Sequence, residues 1–249
     1  MKGLSVIIIA KNEEQNIRAC LESVAWADEI VVVDSGSADA TCAIAREFTE
    51  HVQVHADWPG FGPQKNRALD YANGEWVLSL DADERVTPEL REEIEAVMRA
   101  GTQDAYDMPR LSNYCGRFMR HSGWYPDYVT RLFRRGSARF SDDLVHERLL
   151  VAGSIGKFQN ELLHYSFDNM EAVLRKMDMY STAGAQKMHQ QGQRATLLGA
   201  VLRGLWSFVR TYLLRGGFLD GREGFMLAVS NAEGTYYRYV KLMLLNKKA

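Results

Sequence analysis

The sequence predicts an α/β fold: a mostly parallel sheet with antiparallel additions and a C-terminal helical extension. Three observations carry this. Over the first hundred residues, apolar runs rich in Val and Ile alternate with stretches of helical spacing, the pattern of a parallel sheet with crossover helices. From about 104 to 165, short apolar or aromatic stretches are broken by Gly, Pro and Asp without a helical period, as in antiparallel strands and loops. After Phe167 the chain reads as helical to its end. The predicted boundaries are a catalytic-type domain over 1–166 and a helical region over 167–249.

Each element has its own signal. Leu4 to Ala10 is a continuous apolar run, typical of a strand buried on both faces. Asn12 and Gln15 read as a helix cap pair, with Ile17, Leu21 and Val24 at helical spacing behind them. Ile30 to Val33 is a second strand. Ser37 or Asp39 starts a helix through Phe48, and Val52 to Val54 is a weak third strand. Gly62-Pro63 opens a helix that Gly74 ends. Trp76 to Leu80 is a fourth strand. Thr87-Pro88 then reads as a cap followed by a first-turn proline, with the helix running to about Arg99.

The chain has 249 residues, 46% hydrophobic and 25% charged. That composition allows a sizeable core and excludes a disordered chain, a collagen-like repeat and a disulfide-stapled miniprotein. The net charge of −2 hides an asymmetry. Residues 1–193 carry 21 Lys+Arg against 29 Asp+Glu, whereas residues 194–249 carry nine against three. Taken whole, the small net charge predicts no nucleic-acid partner. The basic, apolar tail fits an anionic membrane surface. Charges interrupt every apolar run there, so these helices are read as lying on a membrane or packing on the catalytic domain with their arginines in solvent, rather than crossing a membrane. Cys20, Cys42 and Cys115 have no metal-ligand spacing and read as reduced thiols. The N-terminal stretch lacks the features of a signal peptide and reads as a strand.

In an open parallel sheet, ligands bind beyond the carboxyl ends of the strands. Here strand one ends in Lys11-Asn12-Glu13, strand two in Asp34-Ser35-Gly36-Ser37 and strand four in Asp81-Ala82-Asp83-Glu84. Asp and Ser are ordinary turn residues one loop at a time; three such loops on one rim point to a site. Two carboxylates two residues apart, Asp81 and Asp83, suit a hard divalent cation held against a diphosphate. The expected ion is Mg²⁺ or Mn²⁺.

With these residues in view, the chain resembles a family 2 glycosyltransferase of the GT-A, Rossmann-like fold. The matching stretches are SVIIIAKNEEQNI, EIVVVDSGSADAT, GPQKNRALDYANGEWVLSLDADE and LVHERL. GWYPDYVTRLFRR, LLHYSFDN and FLDGREGF extend the likeness to bacterial lipopolysaccharide core glucosyltransferases. The resemblance implies that Ala10 and Glu13 border a nucleoside pocket and that Asp34 accepts a hydrogen bond from uracil. It puts Lys65 near the nucleotide, in place of a more usual arginine. It also implies that Asp81 approaches ribose or metal, that Asp83 binds the metal, and that His164 is a further metal ligand. Family 2 enzymes are inverting, so one displacement with one base is implied. Glu147 is the candidate base, with Asp143 and Asp127 as rivals.

Trp124, Tyr125 and Tyr128 beside Arg131, Arg134 and Arg135 suit a phosphorylated glycolipid acceptor, since aromatic faces stack on sugars and arginine forks bind phosphate. Of these, Trp124 and Arg131 are the candidate acceptor residues. The expectation is a metal-dependent, inverting transfer of a hexose. The expected donor is UDP-glucose and the acceptor a lipopolysaccharide inner-core sugar, at the inner face of the cytoplasmic membrane. The alternatives are another nucleotide sugar such as ADP-heptose, another glycan acceptor, or a catalytically silent GT-A scaffold.

Overall fold

A computed structural model describes residues 3–142 and 147–247. Strand β1 (Leu4–Ala10), helix α1 (Ile17–Ser23), β2 (Glu29–Asp34), α2 (Thr41–Ala45), β3 (Val52–Val54), α3 (Phe61–Tyr71) and β4 (Trp76–Asp81) alternate as the sequence predicts. A short strand β5 (Glu84–Val86), not foreseen, precedes α4 (Pro88–Ala100). The antiparallel part comprises β6 (Ala105–Tyr114), β7 (Arg117–Phe118), β8 (Asp127–Arg134), β9 (Ala138–Phe140), β10 (Leu149–Val151), β11 (Ile155–Lys157) and β12 (Leu162–Phe167). Helices α5 (Met170–Gln190), α6 (Leu197–Val209) and α7 (Gly221–Lys247) follow. The main sheet runs β3-β2-β1-β4-β8-β6-β12-β5.

The alternation of side chains along the parallel strands explains their unbroken apolar runs. Val6, Ile8, Val32, Leu78 and Leu80 pack with Leu21 of α1 and with Leu90 and Ile94 of α4. Ile7, Val31, Val33 and Val77 pack with Ala68 and Leu69 of α3. Both faces are thus covered. At the start of α4 the Thr87 hydroxyl accepts from Leu90 N at 3.1 Å, as its cap-and-proline signature predicts. Such a cap contributes about 1 kcal/mol.

Two predicted helix starts differ. Asn12 is no cap: it takes a φ of +56° and ties two loops together. Its N–H donates to Ser37 Oγ at 2.8 Å, and its side-chain oxygen accepts from Ala38 N at 2.9 Å. Glu13 N likewise donates to Thr41 Oγ1 at 2.7 Å. With residues 12–14 held in this way, α1 begins only at Ile17. Asp39 accepts from Thr41 N at 3.0 Å, and α2 is a five-residue helix that stops before Phe48.

The chain divides into two compact units. The first comprises Met1–Arg110 and Asp127–His164; the second comprises Leu111–Pro126 and Tyr165–Ala249. In the second, α7 packs on both α5 and α6. Buried Asp220 anchors the loop before β8, accepting from His121 N and Ser122 Oγ, each at 3.0 Å. This gives the aspartate of FLDGREGF a structural task.

Helix α6 continues through one π-helical turn, Arg210–Leu214. The combined stretch Leu197–Leu214 is 18 residues with a mean hydropathy of 1.2. It is therefore long and apolar enough to cross a membrane by length and composition, although Arg203 and Arg210 interrupt it. The expectation that no helix would qualify is corrected to that extent. The π-turn extends the helix past the point where Arg210 breaks the apolar run. Most of the stretch is exposed, with Leu198 at 69% and Leu205 at 60%.

Candidate active site

Strand register builds the rim. Ala10 is level with Asp34 across the β1–β2 pair, and Ile9 is level with Asp81 across β1–β4. Adjacent strands lie about 4.8 Å apart, so the two aspartates flank the end of β1 at roughly 10 Å across the sheet. Strand β8 runs antiparallel to β4 with Leu132 level with Leu78, so the residues before Leu132, Arg131 first among them, run toward the same rim.

Asp34 is fully buried and organises its own turn. Its Oδ1 accepts from Gly36 N at 2.9 Å and Ser37 N at 2.7 Å, and its Oδ2 accepts from Ser37 Oγ at 2.5 Å. A carboxylate has about four acceptor positions, so one further hydrogen bond remains possible. Ala10 is buried beside it, and its carbonyl accepts from Ser35 N at 2.9 Å. Burial pushes the Glu13 carboxyl up from its ordinary value, opposed by a hydrogen bond from Asn16.

The centre of the rim is an ion network. Lys65, 3% exposed, places Nζ 2.9 Å from Asp81 Oδ1 and 3.1 Å from Glu147 Oε1. Arg131 reaches Asp81 Oδ2 at 2.5 Å and Glu84 Oε1 at 2.7 Å. Glu84, fully buried, also accepts from Asp81 N at 3.0 Å and lies 3.5 Å from Arg110. Burial opposes ionisation of Asp81, but the charges of Arg131 and Lys65 outweigh it and hold the carboxyl well below the usual carboxylate range. Burial also opposes the charge on Arg131, and Asp81 and Glu84 outweigh it in turn.

The approach of Lys65 to Glu147 depends on close packing of α3. At Gly62 a Cβ would sit 1.8 Å from the Ser141 carbonyl oxygen, so only glycine lets the first turn of α3 come so near. Asn66 fixes the same helix to β9, donating to Phe140 O at 2.9 Å and accepting from Phe140 N at 3.0 Å.

Asp83 and His164 form a separate pair, with Oδ2 and Nε2 3.3 Å apart. Among the described residues, no group of three or more His, Cys, Asp or Glu forms a metal-ligand cluster. An oxygen and an imidazole donor fit a cation that takes its remaining ligands from diphosphate and water, and the imidazole favours Mn²⁺ over Mg²⁺.

The predicted residues therefore fall into distinct groups. Lys65, Asp81, Arg131 and Glu147 come together in one network. Asp83 pairs with His164, and Ala10, Glu13 and Asp34 line the adjoining strand ends. Asp127, a rival base, is paired with Arg110 at 2.6 Å. Asp143, the other rival, lies outside the described residues. Trp124 belongs to the second unit, where it meets Tyr114 edge-on and Phe167 at a tilt. Sequence reasoning assigned no role to Glu84 or Arg110. The signal for Glu84 was its place in Asp-Ala-Asp-Glu at a strand end; Arg110 had none.

A doubly covered parallel sheet with carboxylates gathered at its strand ends defines a GT-A-type transferase framework. The glycosyl transferase family 2 model matches residues 5–155, and the chain belongs to that family. It is 30% identical to an uncharacterized glycosyltransferase of Rickettsia prowazekii (strain Madrid E), over 100% of this chain and 89% of the relative. It is also 30% identical to the lipopolysaccharide core biosynthesis glycosyltransferase LpsC of Rhizobium meliloti (strain 1021), over 96% and 91% of the two chains. The structure of S. aureus TarS 1-349 in complex with UDP-GlcNAc shares the fold, with a TM-score of 0.50 at 16% identity. That likeness covers 99% of this chain and 92% of the other.

Proposed function

We propose that this glycosyltransferase is inverting and metal-dependent, and that it moves a hexose from a UDP-sugar, glucose from UDP-glucose, to a hydroxyl of a lipopolysaccharide inner-core sugar. The single observation that carries the reading is Lys65 bridging Asp81 and Glu147 at the strand-end rim. That bridge places a candidate base beside the carboxylates expected to receive the nucleotide. LpsC, similar over nearly its whole length, supports the acceptor class.

In this reading Ala10, Glu13 and Asp34 border the nucleoside, and the remaining acceptor position of Asp34 takes the uracil N–H. Lys65 is a positioning residue that fixes Glu147 relative to the rim. Glu147 takes the proton of the attacking hydroxyl, a role that requires hydrogen-bond reach in the bound complex. Asp83 and His164 hold the divalent cation, with Asp81 beside them. A bound cation neutralises the leaving diphosphate. Arg131, held against Asp81, is the acceptor-side residue of the rim. The exposed leucines of α6 and the basic tail seat residues 167–249 on the cytoplasmic membrane face.

A panel of nucleotide sugars, with and without truncated core lipopolysaccharide, tests this by nucleotide release. UDP-glucose is expected to be consumed, only with Mg²⁺ or Mn²⁺, and chelation is expected to stop it. Consumption of ADP-heptose in its place would overturn the donor assignment.

A further inference from the structure

The second unit contains a cavity of about 350 Å³ with no Asp or Glu in its lining. Four cations reach it: Lys176 from α5, Arg210 and Arg215 from either end of the π-turn, and Arg238 from α7. None of the four makes an ion pair among the described residues. Arg238 Nε is buried without a hydrogen-bond partner. An unmatched buried donor carries a desolvation cost, larger when it is charged, and a ligand with acceptor oxygens removes that cost.

Two of these arginines are packed against glycines outside the lining: a Cβ at Gly184 would meet Arg238 Nε at 3.0 Å, and one at Gly123 would meet Arg215 Nη1 at 2.3 Å. Each glycine leaves room for the arginine stem that reaches the cavity wall. Aromatic rings complete the lining, with half-buried Trp124 and exposed Tyr180.

We infer that this cavity binds a phosphate group carried on a sugar. Several guanidinium forks converging without a carboxylate match a multiply charged anion with several oxygens better than a single carboxylate. The indole and phenol rings supply flat faces for a sugar ring. The phosphate comes either from a soluble sugar phosphate or from the phosphorylated headgroup of a lipid. The inference rests on the proposed function only for the class of ligand, a phosphorylated sugar; it is a statement about binding and stands without the transfer reaction.

Calorimetric titration of the intact protein at low salt tests it, with glucose 6-phosphate, inorganic phosphate and glucose as probes. Glucose 6-phosphate is expected to bind saturably and more tightly than inorganic phosphate, and glucose alone not to bind. Arg238→Gln is expected to weaken binding at least tenfold. Arg210→Gln, at an exposed position where folding is not at stake, is expected to weaken it severalfold. No saturable binding of either phosphate, or equal affinity in both variants and the parent, would overturn the inference. Phosphatidylcholine vesicles doped with lipid A, whose phosphates are carried on glucosamine, added as competitor assign the source: displacement of glucose 6-phosphate by them, and not by undoped phosphatidylcholine vesicles, identifies a lipid headgroup. A parallel UDP titration of the parent reports on the strand-end rim, so failure of one site is distinguishable from failure of the other.

Discussion

The strand-end rim of the first unit and the cavity of the second hold positive charge in opposite ways. At the rim, Lys65 and Arg131 are buried, and each lies between two carboxylates. In the cavity, four cations converge with no carboxylate among them. The difference teaches what each charge is for. A buried cation between two carboxylates is already satisfied, and its work is to hold those carboxylates at fixed positions. Cations left without acceptors are complementary to something the protein does not itself supply.

The largest expected effect lies at the Glu147 end of the rim network. Glu147→Gln keeps the side chain's size and an oxygen that can still accept from Lys65, but the group can no longer take a proton. Transfer should fall by about 10²- to 10⁴-fold, the usual contribution of a general base, with UDP affinity unchanged by titration. Turnover within threefold of the parent would remove Glu147 from the mechanism.

Next comes the closed end of the network. Arg131→Ala leaves Glu84 buried with less compensation, and Asp81 with Lys65 alone. Breaking a buried pair in this way costs about 3–5 kcal/mol. At roughly 2–4 °C per kcal/mol for a chain of this size, the melting temperature should fall by on the order of 10 °C. A fall below about 2 °C, inside the range of surface substitutions, would show that the network is not structural and would return Arg131 to a ligand-contacting role.

A smaller effect follows from Asp81. Its folded carboxyl titrates below its unfolded value, because Arg131 and Lys65 outweigh burial. Linkage then fixes the sign: the unfolded chain binds the proton more readily, so stability rises with pH across this range. The contribution is complete above the ordinary carboxylate value of 3.8 and shrinks as pH falls below it toward the folded value. Denaturant midpoints measured from pH 6 down to pH 2.5 should therefore drop less steeply in Asp81→Asn than in the parent. Equal slopes would refute the assignment.

Much of this was legible in the sequence, and the reasons differ by residue. The runs Leu4–Ala10 and Trp76–Leu80 signalled strands because both of their faces are buried, and periodicity reports burial directly. Asp34, Asp81 and Asp83 were legible because a carboxylate just past such a strand stands at the rim whatever the rest of the fold does. Lys65 contacts Glu147 across 82 positions, a distance no local pattern encodes. Arg131 and Trp124, seven positions apart, were grouped by proximity in sequence, yet they fall in different units because β8 begins between them. Asn12 looked like a cap because caps and loop ties use the same short polar side chains.

The smallest expected effect is the sharpest test of the comparison. Arg210 is exposed and has no carboxylate partner among the described residues, so the contrast with Arg131 predicts that Arg210→Gln changes unfolding free energy by no more than about 0.5 kcal/mol. Its sign is informative as well. Four like charges around one cavity repel, and removing one relieves that repulsion, so the midpoint should stay level or rise slightly, more so at low salt where screening is weak. A loss comparable to that of Arg131→Ala would mean that Arg210 is as structural as the rim cations, and the distinction between satisfied and waiting charge would collapse. A level midpoint at high salt with a small gain at low salt is the signature of cations that are held without a carboxylate among the described residues.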